Sequence, residues 1–431
     1  FPSPRQASWY MDWKKFSAMD FKEYGDTAVY HATHIVNVAM GIKHPALKHY
    51  FSGNNQYQAL TRKAVEELKR YHGVVSGCIN GDEHLSGNDP VRGSELCSVV
   101  EYMFSLLVSM EEFGDAYLGD LMERLAYNAL PATITEDFMA HQYLQQANQV
   151  MADKRVRPWF NNGDFSTTFG LEPNFGCCTA NMHQGWPKFV NSLWYKQGND
   201  SLVSMVFAPS TVKTEIGGEN VEISLETDYP FDDTLRYRFA ASCSMPLTLS
   251  IRIPGWCSVP KAECPGAEID IDIERRMISV RKAFRAGDTV TVTYPMEVTH
   301  THWFKNSLAV ERGPLVFALN MKERWEVLKE IAGVKDYCIF PESPWNFALD
   351  AGGAAEVLLC GVSDIPFSKK NPPVRLEVNA RRLKDWQLDQ YGNAGTLPQS
   401  PVDTVGPDDT IELIPFGCTK LRISQFPYFT K

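Results

Sequence analysis

The sequence predicts a multidomain protein of mixed α and β structure, with helices in the first part and strands in the second. Three observations support this prediction: the length, an ordinary globular composition, and a change of hydrophobic period near residue 200. A chain of 431 residues has room for two or three domains. Its 44% of apolar and 22% of charged residues are typical of globular proteins. We therefore expect packed cores and no long disordered segments.

Several segments before residue 200 repeat apolar residues with the period of an α-helix. They are residues 21–40, 55–72, 94–113, 115–130 and 179–194. In the third of these, Ser94 is the expected N-cap. Glu95 and Cys97 would then lie in the first turn, where the helix dipole stabilises negative charge.

Segments after residue 200 alternate apolar and polar residues, which predicts half-buried β-strands. They are residues 221–225, 247–253, 269–273 and 289–293. We expect a helical domain at 1–198, a β-sandwich at 199–300, and a second β-sandwich or a continuation of the β region at 301–431. Small residues and proline make 351–373 the expected linker or long loop.

Charge and hydropathy argue against two classes of protein. The formal net charge is -10 and basic residues do not cluster, which argues against a nucleic-acid partner and for an uncharged or weakly polar substrate. Apolar stretches fall short of the roughly 20 residues that span a bilayer, so we expect no membrane insertion. Phe1 begins without a signal-peptide pattern. We expect a soluble protein, and the sequence leaves cytoplasmic and secreted locations open.

Three cysteines and one carboxylate form the most informative pattern in the chain. Cys177 and Cys178 are adjacent, and Cys97 follows two positions after Glu95. Neighbouring cysteines rarely form a disulfide with each other, because the bridge needs a geometry that a trans peptide does not allow. Soft thiolates favour zinc, and three sulfurs with one carboxylate oxygen complete a tetrahedral shell. The alternative is that these cysteines are small apolar core residues.

The chain resembles glycoside hydrolase family 127 and its relatives, whose characterised members include β-L-arabinofuranosidases. The resemblance runs through most of the chain and depends on a set of segments in a fixed order. These are Thr33-His34-Ile35-Val36-Asn37, Gly81-Asp82-Glu83, Glu95-Leu96-Cys97, Glu123-Arg124-Leu125-Ala126-Tyr127-Asn128, Gly176-Cys177-Cys178 with Asn181, Arg252-Ile253-Pro254-Gly255-Trp256, and Glu311-Arg312-Gly313-Pro314-Leu315.

The resemblance implies an (α/α)6 toroid, built from six helix pairs, followed by β-sandwich domains. This agrees with the change of hydrophobic period near residue 200. Only about half the helices of a full toroid are counted before that point, so we expect the chain to lack the N-terminal part of the toroid.

The resemblance also implies a mechanism. Cys177 matches the nucleophile, which attacks the anomeric carbon and also binds Zn²⁺. Glu95, Cys97 and Cys178 match the other three zinc ligands. Glu83 matches the general acid/base, with the adjacent Asp82 as the alternative. The outcome would be retention of configuration, without the carboxylate pair of most retaining hydrolases.

Further residues are predicted to contact the sugar. His34 matches a sugar-contacting histidine of the family, and His31 lies one turn before it. Segments 141–146 and 181–186 mix hydrogen-bonding groups with aromatic rings, as sugar sites do. The predicted contacts there are His141, Gln145, Asn181 and His183. Core packing is the competing explanation for both segments.

The resulting hypothesis is a retaining exo-glycoside hydrolase that releases L-arabinofuranose or a related sugar from a plant-type or microbial glycan or oligosaccharide. Glu95-Leu96-Cys97 stands where the characterised arabinofuranosidases carry Glu-Thr-Cys, which indicates a divergent branch whose sugar specificity is open. One alternative is a polysaccharide lyase on the same toroid architecture. Another is a non-catalytic carbohydrate-binding or scaffold protein with a structural zinc ion. A homodimer is a possible assembly.

Overall fold

Helices dominate the first part of the chain, and strands dominate the rest. The computed structural model describes residues 33–160, 163–171, 175–404 and 406–430. The first part of the predicted helix 21–40, and with it His31, lies outside the described residues. The change from helices to strands near residue 200, predicted from the hydrophobic period, is confirmed.

The α-helices are mostly short, and one π-helix, Leu125–Ala129, interrupts them. No helix in the described ranges combines the length and the apolar character that a membrane span requires. The helices are α1 Ile35–Gly41, α2 His44–Ser52, α3 Gln56–His72, α4 Leu96–Phe113, α5 Ala116–Arg124, α6 Leu130–Ala132, α7 Gly176–Met182 and α8 Gly185–Val190.

Two predicted helices differ from the observed ones at a boundary or in their continuity. Ser94 is not an N-cap, because the short strand β1, Ser94–Glu95, pairs with β3, Leu144–Gln145, and the helix begins only after Glu95. The predicted helix 179–194 is two helices, α7 and α8, and ends before Trp194, which begins strand β6.

Two five-stranded sheets face each other between residues 194 and 293. Their strand orders are β13-β14-β11-β7-β6 and β12-β15-β10-β9-β8. Tyr237 of β10 donates a hydrogen bond to Ser204 of β7 at 3.0 Å and so bridges the two sheets. All four predicted strands are present, as β9, β11, β13 and β15. The bounds are β6 Trp194–Gln197, β7 Ser201–Ser204, β8 Ser210–Ile216, β9 Glu219–Glu226, β10 Thr234–Phe239, β11 Leu247–Arg252, β12 Lys261–Glu263, β13 Glu268–Asp272, β14 Met277–Lys282 and β15 Thr289–Thr293.

An eight-stranded sheet follows, in the order β16-β17-β18-β24-β23-β21-β26, with β22 also paired to β23. The segment 351–373 lies inside this β region as a long loop that carries β22. The bounds are β16 Val298–His302, β17 Leu308–Arg312, β18 Leu315–Leu319, β19 Glu323–Ile331, β20 Val334–Pro341, β21 Phe347–Asp350, β22 Glu356–Leu359, β23 Val374–Arg382, β24 Asp409–Pro415, β25 Arg422–Ile423 and β26 Tyr428–Phe429.

Short strands of the helical part pair with strands from the end of the chain. A four-stranded sheet has the order β19-β20-β5-β2, with β2 His141–Gln142 and β5 Phe169–Gly170. Strand β4, Asn148–Gln149, pairs with β25. The helical part and the C-terminal part therefore share sheets.

Buried amide groups strengthen this connection. The Asn148 Oδ1 accepts hydrogen bonds from the backbone N–H groups of Ser424 and Gln425, both at 3.0 Å. Its Nδ2 donates to the Gln425 carbonyl at 2.8 Å. Gln149 donates to the Lys420 carbonyl at 2.7 Å. Because buried polar groups need partners, these bonds fix the C-terminal segment against the helical part.

An ion-pair network joins helix α5 to the facing sheets. Arg252, which is fully buried, contacts Asp120 and lies 2.6 Å from Glu123. Glu123 also accepts hydrogen bonds from the Phe207 N–H at 3.1 Å and from the Tyr229 hydroxyl at 2.6 Å. The network satisfies charges that would be costly to bury alone.

Candidate active site

Glu95 and Cys97 are positioned by the junction between β1 and α4. Glu95 pairs with Leu144 of β3 and is the N-cap residue of α4, with extended backbone angles. Cys97 lies in the first turn of that helix. Both side chains are buried, with 3% and 1% of their surface exposed. The strand pairing and the helix start thus bring a carboxylate and a thiol to one point of the core.

Cys177 and Cys178 lie in the first turn of α7, which packs against α4. Cys178 is buried and Cys177 is exposed. The Cys178 Sγ lies 3.4 Å from the Cys97 Sγ and 4.0 Å from the Cys177 Sγ. All ten cysteines of the chain are free thiols. The structure therefore brings the three predicted sulfur ligands together without a disulfide.

The four predicted ligands form a group suited to zinc. One ligand atom from each of Glu95, Cys97, Cys177 and Cys178 lies within 4.8 Å of the others. Tetrahedral zinc with Zn–S bonds near 2.3 Å separates two sulfurs by about 3.8 Å. The observed separations of 3.4 and 4.0 Å bracket that value. The buried Glu95 Oε2 has no hydrogen-bond partner in the described part of the chain, so it is available as a ligand.

The protonation of the cluster depends on all four groups together. Hydrogen bonds from Cys178 and Cys97 lower the pKa of Cys177, so that the accessible sulfur is the thiolate. The same hydrogen bonds raise the pKa of Cys178 and Cys97, which remain the proton donors. Burial, with the nearby charges of Glu83 and Cys177, raises the pKa of Glu95. The cluster formed by the chain alone therefore holds one exposed thiolate among protonated neighbours.

Glu83 lies beside this cluster and is held by two hydrogen-bond donors. Its Oε1 lies 3.2 Å from the His34 Nε2, and its Oε2 accepts from the Tyr143 hydroxyl at 2.5 Å. Burial acts to raise the pKa of Glu83, but the hydrogen bonds from His34 and Tyr143 outweigh it and hold the pKa below its ordinary value. One atom each of His34, Glu83 and Glu95 lie within 4.8 Å of one another.

The backbone of Glu83 is strained. Its φ is 85°, a left-handed conformation that residues with a Cβ rarely adopt. Such a conformation costs on the order of 1–3 kcal/mol and persists only where the surrounding structure enforces it. The Ile35 N–H, which donates to the Glu83 carbonyl at 2.9 Å, is part of that enforcement.

Asp82, the alternative acid, points elsewhere. It is fully buried, and its Oδ2 lies 2.5 Å from the Arg92 Nη2. Burial raises the pKa of Asp82, and the Arg92 charge opposes that effect. The neighbouring carboxyls therefore have different partners: Asp82 faces a guanidinium, and Glu83 faces the cluster.

Two of the predicted sugar contacts lie at the cluster. His141 Nε2 is 2.8 Å from the Thr179 Oγ1, next to Cys178, and burial lowers the pKa of His141 to about 4. The imidazole is therefore neutral at pH 7. Asn181 hydrogen-bonds towards Cys97, which acts to lower the pKa of that thiol. His141 and Asn181 thus contact the residues that hold the cysteines.

The other two predicted contacts are placed differently. Gln145, which pairs with Ser94 in the register of β3, is buried and donates to the Ala129 carbonyl at 3.1 Å. His183 is exposed at the C-terminal end of α7. At 100° per residue it lies about 240° around the helix from Cys177.

Tyr143 is a site residue that the sequence did not single out. Besides donating to Glu83, its ring stacks on Phe175 with the centroids 4.1 Å apart and the planes 16° apart. Its carbonyl accepts from the Leu96 N–H at 3.0 Å, next to Glu95. Burial raises the pKa of the Tyr143 phenol, so it is a donor at neutral pH. The segment 141–146 was a signal for this region, but the choice of Tyr143 required the pairing of β1 with β3.

Comparison with family models and solved structures gives matches in both cases. Residues 201–296 match the model described as the beta-L-arabinofuranosidase, GH127 middle domain. The predicted resemblance to glycoside hydrolase family 127 is thereby confirmed for that part of the chain. A search of the curated proteins finds no match.

Three solved structures share the fold over most of this chain. A GH127 β-L-arabinofuranosidase from Geobacillus stearothermophilus T6 is 18% identical with a TM-score of 0.69, covering 97% of this chain and 66% of its own. A structure titled glycoside hydrolase is 18% identical with a TM-score of 0.70, covering 92% and 66%. The GH127 β-arabinofuranosidase BT3674 is 17% identical with a TM-score of 0.67, covering 98% and 65%. The chain therefore spans just under two thirds of these proteins.

Proposed function

We propose that this chain, which carries a middle domain of glycoside hydrolase family 127, acts as a retaining exo-glycoside hydrolase with Cys177 as nucleophile and Glu83 as acid/base. The observation that carries the proposal is the convergence of three cysteines and Glu95 within 4.8 Å, next to Glu83. The family match and the shared fold support the same reaction class.

In the first step Cys177 would attack the anomeric carbon. Its Sγ forms a bond to that carbon while the bond to the leaving oxygen breaks, and Glu83 gives its proton to that oxygen. The exposure of Cys177 suits this role, because the other two sulfurs are buried and cannot meet a substrate. A thiolate is the reactive form of the nucleophile, and the hydrogen bonds around Cys177 favour it.

In the second step water would attack the same carbon. Glu83, now a carboxylate, takes a proton from the water, the C–S bond breaks, and Cys177 returns to a thiolate. Two displacements at one carbon give net retention. The hydrogen bonds from His34 and Tyr143 stabilise the carboxylate form that this step needs.

Glu95, Cys97, Cys177 and Cys178 would hold Zn²⁺, and the donor set fits that ion. The bound ion would keep the coordinating sulfurs as thiolates at neutral pH. Within this set Cys97, Cys178 and Glu95 fix the position of Cys177 relative to Glu83.

The substrate we propose is a plant-type or microbial glycan that ends in L-arabinofuranose or a related sugar. Two of the similar structures are β-arabinofuranosidases, which supports this sugar class. His34, His141 and Asn181 would contact the sugar. We also propose that the helical part belongs to an (α/α)6 toroid and that the facing sheets at 194–293 are a β-sandwich. The shared fold supports this division.

The first test is metal content with a matched pair of cysteine variants. Elemental mass spectrometry of the purified protein should give one zinc per chain, and Cys178→Ala should lose it. Cys243→Ala is the control, because Cys243 is also a buried free thiol and lies in the β region. No zinc in the wild type, or zinc loss in both variants, contradicts the proposed site.

The second test is turnover of aryl L-arabinofuranosides by the wild type and by Cys177→Ser. We expect the wild type to hydrolyse the substrate with retention of configuration and Cys177→Ser to lose this activity. The zinc content of both proteins is measured in parallel. Products that absorb in the ultraviolet would instead indicate β-elimination by a lyase. If the protein contains zinc but shows no turnover, and Cys177→Ser lowers only its stability, the zinc is structural and a binding function is indicated.

A further inference from the structure

Four residues form one row across the sheet β19-β20-β5-β2. His141 of β2 pairs with Gly170 of β5, and Lys329 of β19 pairs with Asp336 of β20. The antiparallel register of β20 and β5 places Asp336 opposite Gly170. Residues opposite each other on neighbouring strands point to the same face of a sheet. The row therefore directs Asp336 and Lys329, from the C-terminal part of the chain, to the face that carries His141 of the candidate active site.

Gly170 leaves a gap in this row, and the carboxyl group of Asp336 occupies it. A Cβ at residue 170 would overlap with the Asp336 Oδ1 and Cγ. Only glycine at this position therefore lets the carboxyl group extend over β5 towards the strand that carries His141. Burial lowers the pKa of His141, and the charges of Cys177 and Asp336 oppose that effect. The Asp336 carboxylate is thus close enough to the imidazole to act on its charge.

The imidazole of His141 has one nitrogen with a partner and one without. Its Nε2 lies 2.8 Å from the Thr179 Oγ1, on the helix α7 that also carries Cys177 and Cys178. Its Nδ1 is buried and has no hydrogen-bond partner in the described part of the chain. A neutral imidazole that accepts at Nε2 must donate at Nδ1, and a buried donor without an acceptor is destabilising. An acceptor beside Nδ1 would remove that cost.

A simpler role for Asp336 is that of counter-ion to Lys329. The Lys329 Nζ lies 3.1 Å from the Asp336 Oδ2. The lysine side chain is 36% exposed, so this ion pair is expected to contribute little to stability. It also engages only one carboxylate oxygen. The other, Oδ1, is the oxygen that lies over Gly170, on the side of β20 that faces His141.

We propose that Asp336 is a positioning residue of the active site and that its carboxylate accepts a hydrogen bond from the His141 Nδ1. The hydrogen bond at one imidazole nitrogen decides which tautomer is present. With the hydrogen at Nδ1, the His141 Nε2 accepts from the Thr179 hydroxyl. Both nitrogens are then engaged within the protein, which leaves the ring carbons for the sugar contact proposed above.

The consequence for catalysis is the placement of helix α7. Thr179 follows the cysteine pair directly, so a fixed Thr179 fixes the first turn from which the Cys177 sulfur meets the substrate. A carboxylate on β20 would in this way hold the nucleophile of α7 against β2. This effect on turnover rests on the proposed function, whereas the hydrogen bond between Asp336 and His141 does not.

NMR of the protein with ¹⁵N-labelled histidine tests the hydrogen bond, because it shows which ring nitrogen carries the hydrogen. The His141 signals are identified by their absence in His141→Gln. We expect the Nδ1–H tautomer in the wild type and in Asp336→Asn, since the amide oxygen of asparagine also accepts. Asp336→Ala should shift His141 towards the Nε2–H tautomer. An Nε2–H tautomer in the wild type, or an unchanged tautomer in Asp336→Ala, would overturn the proposal.

Kinetics with an aryl L-arabinofuranoside test the effect on the nucleophile. Asp336→Ala should lower kcat roughly 10- to 100-fold with little change in KM, because the placement of Cys177 changes and the binding groups remain. Asp336→Asn should restore most of kcat. Lys329→Met is the matched control, since it removes the ion pair and keeps the carboxylate, and its kcat should stay within a fewfold of the wild type.

Equal losses of kcat in Lys329→Met and Asp336→Ala would show that Asp336 serves only as the counter-ion of Lys329, which would overturn the positioning role. Absence of turnover in the wild type would contradict the proposed hydrolysis instead. The tautomer of His141 would still decide, in that case, whether Asp336 holds the imidazole.

Discussion

At the scale of single residues, the neighbours Asp82 and Glu83 carry the same functional group in different surroundings. Glu83→Gln should lower kcat by roughly 10²- to 10⁴-fold, the usual contribution of a general acid/base. Asp82→Asn should leave kcat within a fewfold and lower the free energy of unfolding, because Arg92 loses its buried partner. Kinetics with an aryl furanoside and urea unfolding of both variants measure the two effects. A larger loss of kcat in Asp82→Asn than in Glu83→Gln would identify Asp82, not Glu83, as the acid/base.

Tyr143 provides a test of the protonation of Glu83. Its hydroxyl donates to the Glu83 carboxylate and so favours the ionised form. Removing this bond in Tyr143→Phe should raise the pKa of Glu83. Because the first step needs Glu83 protonated, activity is lost as the pH rises through that pKa. The alkaline limb of the kcat/KM profile should therefore move to higher pH.

The control for this shift is Tyr195→Phe, since Tyr195 lies in β6, away from Glu83. An alkaline limb that stays in place in Tyr143→Phe, or moves equally in both variants, would show that Glu83 is not the group that titrates.

Residues of the site differ in how far the sequence could identify them. The grouping of Glu95, Cys97, Cys177 and Cys178 was predictable, because thiols and a carboxylate in short motifs are the donors that a soft cation favours. Tyr143 and Gln145 were not, because one strand pairing turns the first towards Glu83 and the second towards Ala129. Side-chain direction in such two-residue strands depends on contacts that are distant in sequence.

At the scale of secondary-structure elements, the start of α5 combines a helix cap with an ion pair. Asp115 accepts a hydrogen bond from the Tyr117 N–H at 3.0 Å and binds Arg62 through two bonds, at 2.5 and 2.6 Å. Asp115→Ala should lower the free energy of unfolding by about 2 kcal/mol. Asp115→Asn, which keeps the cap and removes the charge, should cost about half as much. Denaturant unfolding midpoints measure the loss of stability in both variants. Equal losses would mean that the cap hydrogen bond of Asp115 does not contribute to stability.

Boundaries of elements were less predictable than their existence. The helical periods of 55–72 and 94–113 and the alternation of four strands were readable, because each of these segments buries one face. Ser94 resembles an N-cap, yet it lies in β1, since pairing with β3 holds its backbone extended. The break between α7 and α8 follows from residues 183–184, where the chain turns before Gly185 packs on Leu130.

At the scale of the whole molecule, the network around Arg252 holds the helical part against the facing sheets. Glu123→Ala leaves a buried guanidinium with one partner fewer, which should lower the free energy of unfolding by about 3–5 kcal/mol. Glu222→Ala, which breaks the exposed pair with Lys213, should change it by less than about 1 kcal/mol. Urea unfolding of both variants measures the contrast, and similar values would mean that the junction does not depend on this network.

The division into a helical and a β region was predictable from the change of hydrophobic period, but the pairing of strands between the two regions was not. Strands β2, β4 and β5 are two residues long and carry no alternating pattern. Strand β2 pairs with β5, and the partners of β5 and β4, which are β20 and β25, lie after residue 330. Pairings at this separation in sequence depend on tertiary packing and leave no local signal.

The bonds between Asn148 and Gln425 also have a consequence for biosynthesis. The two residues are 277 positions apart, and ribosomes add roughly 5–20 residues per second, so roughly 14–55 seconds pass between their synthesis. During that interval the side-chain amides of Asn148 and Gln149 lack their partners in 420–425. Nascent chains that still lack 420–425 should expose these amides to chaperones and proteases until that segment has been made.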